Sequence, residues 1–247
     1  MKITYISDEI ATLQIMTEEE PYLLTNSARH LKEAIDGFNQ NPTLRAVLLE
    51  GGKRNFCAGA NYQLLVDSTS RRAFLESVYA IPGIIMSLKV PSIAVMQGHA
   101  LGGGLAVGLW CDLPYLSMES LYGANFITLG FTPGMGATQI VLDAFGEFLG
   151  RELLYTGRLI KGREIQKSKV SLSHAIFPKE ALRACALQRA SEIAQMPALV
   201  LNAYKQNLVK RRLSLLELVL QQEREMHDRM FANQGAQVHI HNALAPP

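Results

Sequence analysis

Apolar and polar positions alternate from the start of the chain. "KITYISDE" and "IATLQIM" read as two strands of a hairpin. In "NSARHLKEAIDGFNQNP" the apolar positions Ala28, Leu31, Ile35 and Phe38 recur at helical spacing. The polar "NQNP" ends that helix. "AVLLEGG", "SIAVMQG" (after Pro91) and "LPYLSM" are nearly continuous apolar runs, the pattern of strands covered on both faces. Helical patterns between them predict an α/β chain of ββα crossover units. The pattern changes near residue 150. Beyond it the chain reads as helix, with one extended piece near "HAIFP". A last helix is expected to start at Ser214, where Ser214 and Glu217 form an S-x-x-E capping box. Leu216, Leu220, Glu223, His227 and Met230 then fall on one stripe. The tail "QVHIHNALAPP" is expected to be loosely ordered. Residues 1–150 thus form a ββα core, and residues 151–247 a helical C-terminal region.

Composition narrows the function classes. Of 247 residues, 48% are hydrophobic, too many for a disordered chain. Lys+Arg is 24 and Asp+Glu 22, so no basic excess argues for nucleic acid. No run approaches the roughly 20 apolar residues of a membrane span. The acidic N-terminal segment lacks the core of a signal peptide. Cys57, Cys111 and Cys185 are too scattered for a disulfide framework or a metal pair. His30, His174, His239 and His241 also lack ligand spacing. A reduced, cytoplasmic protein is expected, without metal, membrane or nucleic-acid partner.

Two segments carry candidate chemistry. In "VPSIAVMQGHALGGGLAVGLWCD" a strand runs through Gly102, Gly103 and Gly104 into a helix. Backbone can approach a ligand closely there, and the helix points free N–H groups at the same spot. The G-x-G-x-x-G spacing of a dinucleotide site is not met, because Val107 stands at its last position. In "VLLEGGKRNFCAGANYQLL" a strand leads to the small-residue loop Cys57, Ala58, Gly59, Ala60. Two such loops after neighbouring parallel strands can each give one N–H to a single oxygen, as in an oxyanion hole.

With these two loops and the block "YGANFITLGFTPGMGATQIVLDAFG", the chain resembles the crotonase, or enoyl-CoA hydratase/isomerase, superfamily over essentially its whole length. The resemblance implies a crotonase fold, two sheets wound as a ββα superhelix, and trimers or dimers of trimers joined through C-terminal helices. It implies Ala58 and Gly103 as the oxyanion donors. The two glutamates of a hydratase fall at Ala106 and Phe126, and neither of these can move a proton. Asn61 replaces the aspartate of the first loop.

"MQGHALGGG", "YGANF" and "GFTPGMGAT" look like the decarboxylating homologues of polyketide β-branching, which lack those glutamates. That resemblance implies decarboxylation of a 3-methylglutaconyl group to 3-methylcrotonyl on an acyl carrier protein, or on coenzyme A, with no cofactor. Apolar Phe126 and Ala106 would exclude water. The family's proton-donating histidine, in an E-x-x-x-H-x-x-x-F setting, maps to Glu223, His227 and Phe231. His227 also sits on the apolar stripe and should point inward. The family's carboxylate-binding lysine has no counterpart between Lys53 and Lys89; Arg71 and Arg72 flank its expected place, and Arg72 is the candidate substitute. His99 and Tyr122 belong to the subfamily strings, and Tyr122 and Asn125, like Phe126, are candidate substrate contacts. Two rivals stay open: an enoyl thioester isomerase, and a silent scaffold that binds acyl carriers.

Overall fold

The computed structural model describes residues 1–233. The elements in chain order are β1 (Lys2–Tyr5), β2 (Ile10–Gln14), α1 (Ser27–Gln40), β3 (Ala46–Glu50), β4 (Asn55–Cys57), α2 (Tyr62–Val66), α3 (Ser68–Met86), β5 (Ser92–Met96) and β6 (His99–Leu101). After these come α4 (Gly103–Trp110), β7 (Leu113–Ser117), β8 (Leu121–Gly123), α5 (Ala137–Phe145), α6 (Glu147–Thr156), β9 (Ile160–Lys161), α7 (Gly162–Lys167), β10 (Ile176–Phe177), α8 (Lys179–Ala194) and α9 (Ala198–Ala232).

The expected hairpin forms, with Lys2 opposite Gln14 and Tyr5 opposite Ala11. It edges a six-stranded sheet of order β1-β2-β3-β5-β7-β10, parallel from β2 onward. The continuous apolar runs have the predicted cause. Ala46, Leu48, Ile93 and Val95 face Leu182, Ala186 and Ala190 of α8. Their neighbours Val47, Leu49, Ala94 and Met96 face the larger core with α1, α3 and α4. The two-residue period of a strand divides one run between two buried faces.

Three times a strand of this sheet is followed by a short strand of a second sheet. β4, β6 and β8 follow β3, β5 and β7, lie parallel, and are joined by β9 in the order β4-β6-β8-β9. The loops leaving the carboxyl ends of β4, β6 and β8 therefore gather on one side, where α/β sheets place ligands. The region after residue 150 is less purely helical than its periodicity suggests, since it supplies β9 as well as β10.

The start of the last helix needs correction. α9 runs from Ala198, directly after Pro197, and passes through Ser214 without a break. The Ser214 hydroxyl donates to the Lys210 carbonyl one turn back, at 3.2 Å, so it supports the helix interior instead of capping an end. Lys205 and Arg212 tie the first half of α9 to Asp112, which also accepts from Ser92. The expectation for the tail, with His239 and His241, lies outside the described residues.

Candidate active site

An apolar cleft opens at the ends of β4, β6 and β8. Ala58–Ala60, Leu101–Gly103 and Asn125–Phe126 line it from the three loops. α3 adds Phe74, Leu75, Val78 and Tyr79, and α9 adds His227. The loop before α5 closes it with Phe131, Thr132, Gly134 and Met135. Among the described residues no Asp, Glu, Lys or Arg lines this cleft.

The two glycine-rich loops meet closely. Gly59 has φ +96°, and a side-chain carbon there would fall 2.8 Å from the Leu101 carbonyl oxygen and 3.8 Å from the Gly103 nitrogen. One on Gly104 would lie 2.1 Å from the Cys57 oxygen, so only glycine lets α4 start against β4. Gly103 opens α4, where a backbone N–H has no acceptor within the helix, and it lines the cleft.

The second donor differs from the one expected. The Ala58 N–H is taken up by the Pro21 carbonyl at 2.8 Å. Two residues on, Leu23 donates to the Gly59 carbonyl at 2.8 Å and accepts from the Asn61 N–H at 3.1 Å. This parallel bridge turns the groups flanking Ala60 toward Leu23, and therefore the Ala60 N–H away from it. Ala60 has no backbone acceptor among the described residues and lines the cleft. Ala60, not Ala58, is the free donor opposite Gly103. Asn61 acts locally, since its Oδ1 accepts from the Gln63 N–H at 3.1 Å and caps α2.

Opposite these donors stands a pair of which the sequence pattern identifies one member. The His227 Nδ1 lies 2.6 Å from the Tyr79 hydroxyl and 3.0 Å from the Glu223 backbone carbonyl. The carbonyl can only accept, whereas the hydroxyl can donate or accept, so a proton on Nδ1 satisfies both contacts. Burial pushes the imidazole below its ordinary pKa of 6.5, against opposing contributions from the Glu223 carbonyl and Asp228. Burial, with Glu223 next, pushes the Tyr79 phenol well above its ordinary value. Near neutral pH the pair is an uncharged imidazole beside an intact phenol. Tyr79 reads in the sequence as one more core residue of an apolar helix. The available signal is a tyrosine among Phe74, Val78 and Ile81, whose hydroxyl needs a partner once buried.

The remaining expected contacts divide. Asn125 and Phe126 line the cleft, close against Gly102. Tyr122 does not. Its side chain is fully buried, and its hydroxyl donates to the Met96 carbonyl at 2.7 Å and accepts from the Ser117 N–H at 2.7 Å. It locks the two sheets together and leaves no polar atom for a substrate. Ala106 is buried inside α4 and does not line the cleft, so Phe126 alone of the two glutamate positions faces it. The His99 Nδ1 accepts from the Leu121 N–H at 2.9 Å and holds β8.

Arg72 also stands outside the cleft. It lines an adjoining polar depression with Arg71, Glu76, Arg224 and Asp228, which shares only Leu75, Tyr79 and His227 with the cleft. Arg71 is committed elsewhere, since it donates to the Leu65 and Val66 carbonyls at 2.6 and 2.8 Å and stacks over Phe231. Among the described residues no cluster of side chains fits a metal ion, and no helix is long and apolar enough to cross a membrane.

The chain is similar to known proteins over most of its length. The profile of the enoyl-CoA hydratase/isomerase family matches residues 10–243. The bacillaene synthase decarboxylase PksI of Bacillus subtilis (strain 168) is 31% identical over 243 residues, 96% of each chain. A solved structure described as a dehydratase/decarboxylase enzyme couple of polyketide β-branching superposes with a TM-score of 0.87 at 29% identity, covering 99% of both chains. The ECH2 decarboxylase domain of CurF from Lyngbya majuscula gives 0.85 at 25% identity, over 98% of both. The chain has the crotonase fold and belongs to the enoyl-CoA hydratase/isomerase family.

Proposed function

We propose that the protein decarboxylates a 3-methylglutaconyl thioester, carried on an acyl carrier protein, to the 3-methylcrotonyl thioester in polyketide β-branching. The observation that carries this reading is the cleft itself. Two free backbone N–H groups share the cleft with the Tyr79–His227 pair, and among the described residues no carboxylate side chain lines it to activate water. Hydration requires a group that can take a proton from water and another that returns it, and the glutamate positions are occupied by Ala106 and Phe126. The likeness to decarboxylases over nearly the whole chain supports the same choice.

The chemistry fits the groups that remain. The thioester oxygen sits between the Ala60 and Gly103 N–H groups. The bond to the distal carboxylate breaks, carbon dioxide leaves, and its electron pair moves through the conjugated chain onto that oxygen. The two donors hold the resulting dienolate. A proton from the Tyr79–His227 pair then reaches carbon and restores the thioester carbonyl, and solvent returns a proton to the pair. An uncharged cleft solvates a carboxylate poorly and a carbon dioxide molecule well, which favours bond cleavage. Asn125 and Phe126 shape the wall next to Gly102.

The working form is proposed to be a homotrimer or a hexamer. Val200, Tyr204, Leu208, Leu215 and Leu218 leave an exposed apolar stripe on α9, and contiguous apolar surface of this kind favours a contact between copies. The direct test of function is release of carbon dioxide from the loaded carrier, beside a matched thioester without the distal carboxylate. Turnover of the second substrate alone would mark an isomerase instead.

A further inference from the structure

The carboxylate of Glu223 is completely buried, one helical turn before His227 on α9. It does not line the cleft. Its side chain crosses to the start of α5, where Oε2 accepts from the Gly136 N–H at 2.7 Å. Oε1 accepts from the Thr138 N–H at 3.0 Å and from the Thr138 hydroxyl at 2.8 Å. Every group facing its oxygens is a donor. Burial, the largest influence, raises its pKa above the ordinary carboxylate value, and the three donors oppose that shift.

The turn held by this carboxylate is strained. Met135 has φ 64°, a left-handed backbone that a side chain disfavours, and Gly136 follows at φ 73°. The Met135 carbonyl is fixed from the other side by the Trp110 indole N–H at 2.7 Å. The same turn touches the reacting pair: a side-chain carbon on Gly134 would lie 3.2 Å from Cε1 of His227 and 3.4 Å from Cε1 of Tyr79. The backbone carbonyl of Glu223 meanwhile contacts His227 Nδ1. One residue thus grips the cleft wall with its side chain and the imidazole with its backbone.

We propose that Glu223 is a positioning residue for the reaction: it clamps the 134–138 turn to α9 and so fixes the orientation and the proton position of His227 against the oxyanion donors. The inference rests on the function proposed above, but its geometry can be tested apart from turnover. A glutamine at this place keeps the size and turns one acceptor into a donor, so at least one of the Gly136 and Thr138 N–H groups loses its partner.

The experiment compares wild type, Glu223→Gln, Thr138→Val and Thr138→Ser, with the imidazole nitrogens of His227 followed by nitrogen-15 NMR across pH. Wild type and Thr138→Ser are expected to show one dominant neutral tautomer, protonated on Nδ1. Glu223→Gln is expected to show mixed tautomers, a kcat lowered about tenfold and KM changed less than about twofold, since misplacing reacting groups acts on the chemical step. Its alkaline limb should move to lower pH, because a negative charge is removed from the Tyr79 environment that also contains Glu76, Arg224, Asp228 and His227. A folded Glu223→Gln with the wild-type tautomer, kcat and pH profile would overturn the proposal. If Glu223→Gln does not fold, Thr138→Val decides by the same spectrum, with an unchanged tautomer counting against. If wild type releases no carbon dioxide, the functional reading fails, and the tautomer comparison still decides the clamp.

Discussion

The Tyr79 hydroxyl and the His227 imidazole, 148 positions apart in sequence, meet at 2.6 Å in the wall of the cleft. The contact joins α3 to α9 and places two proton-bearing side chains in the cleft that Ala60 and Gly103 also line. Replacing Tyr79 by Phe removes one oxygen and keeps the ring. The expected result is a loss of about a hundredfold in decarboxylation rate, the usual reach of a positioned proton donor, with a melting temperature close to wild type. Rates on loaded carrier and thermal unfolding check both halves. An unchanged rate would remove Tyr79 from the chemistry.

The two oxyanion assignments separate cleanly. Replacing the amide N–H of residue 60 with an ester oxygen, through an α-hydroxy acid, removes a donor that faces the cleft. Turnover should fall by roughly 10²–10³, as for loss of one such donor elsewhere. The same change at residue 58 removes the bond to the Pro21 carbonyl and should lower stability more than rate. The reverse ranking would restore Ala58 as the donor.

His227 makes folding pH-dependent in a stated direction. Its folded pKa lies below 6.5 because burial disfavours the cation. The unfolded chain therefore binds more protons wherever pH lies between the two values. Its contribution to stability is complete above the unfolded pKa and is lost as pH falls through about 6.5 toward the folded value. Urea unfolding at several pH values should show this loss in wild type and a flatter dependence in His227→Gln. Equal slopes in the two proteins would contradict the buried neutral imidazole.

Lys205 is nearly buried and depends on Asp112. Asp112→Ala leaves that ammonium without its carboxylate and should cost about 3–5 kcal/mol of stability. Adding Lys205→Met should recover much of the loss. Denaturant titration of the single and double variants measures both, and additive losses would argue against the pairing.

The exposed stripe on α9 predicts assembly. Leu208→Glu places a charge in its middle and should shift the protein toward monomers in sedimentation. A wild-type protein that sediments as a monomer would contradict the stripe as a contact.

What the sequence makes legible follows the range of each interaction. The β1–β2 hairpin, α1 and the apolar runs of β3, β5 and β7 are written in local periodicity, and they stand as expected. The inward face of His227 is legible for the same reason. Ser214 misleads because an S-x-x-E pattern is also compatible with a helix interior, where the hydroxyl bonds one turn back. The placement of the second donor on Ala58 fails because its N–H is consumed by the Pro21 carbonyl, which no local pattern reveals. Tyr122 lies in a motif string yet spends its hydroxyl between the sheets. Arg72 is near the site in sequence but belongs to the adjoining depression. The partner of Tyr79 and the contacts of Glu223 both join elements far apart in the chain, and they emerge only in the folded molecule.

Decarboxylation is tested most directly by the intact mass of an acyl carrier protein loaded with 3-methylglutaconyl and incubated with this protein. The carrier is expected to lose the mass of one carbon dioxide, at a rate that His227→Ala and Tyr79→Phe both reduce. A carrier that gains the mass of water, or keeps its mass at high enzyme concentration, would contradict the proposed reaction.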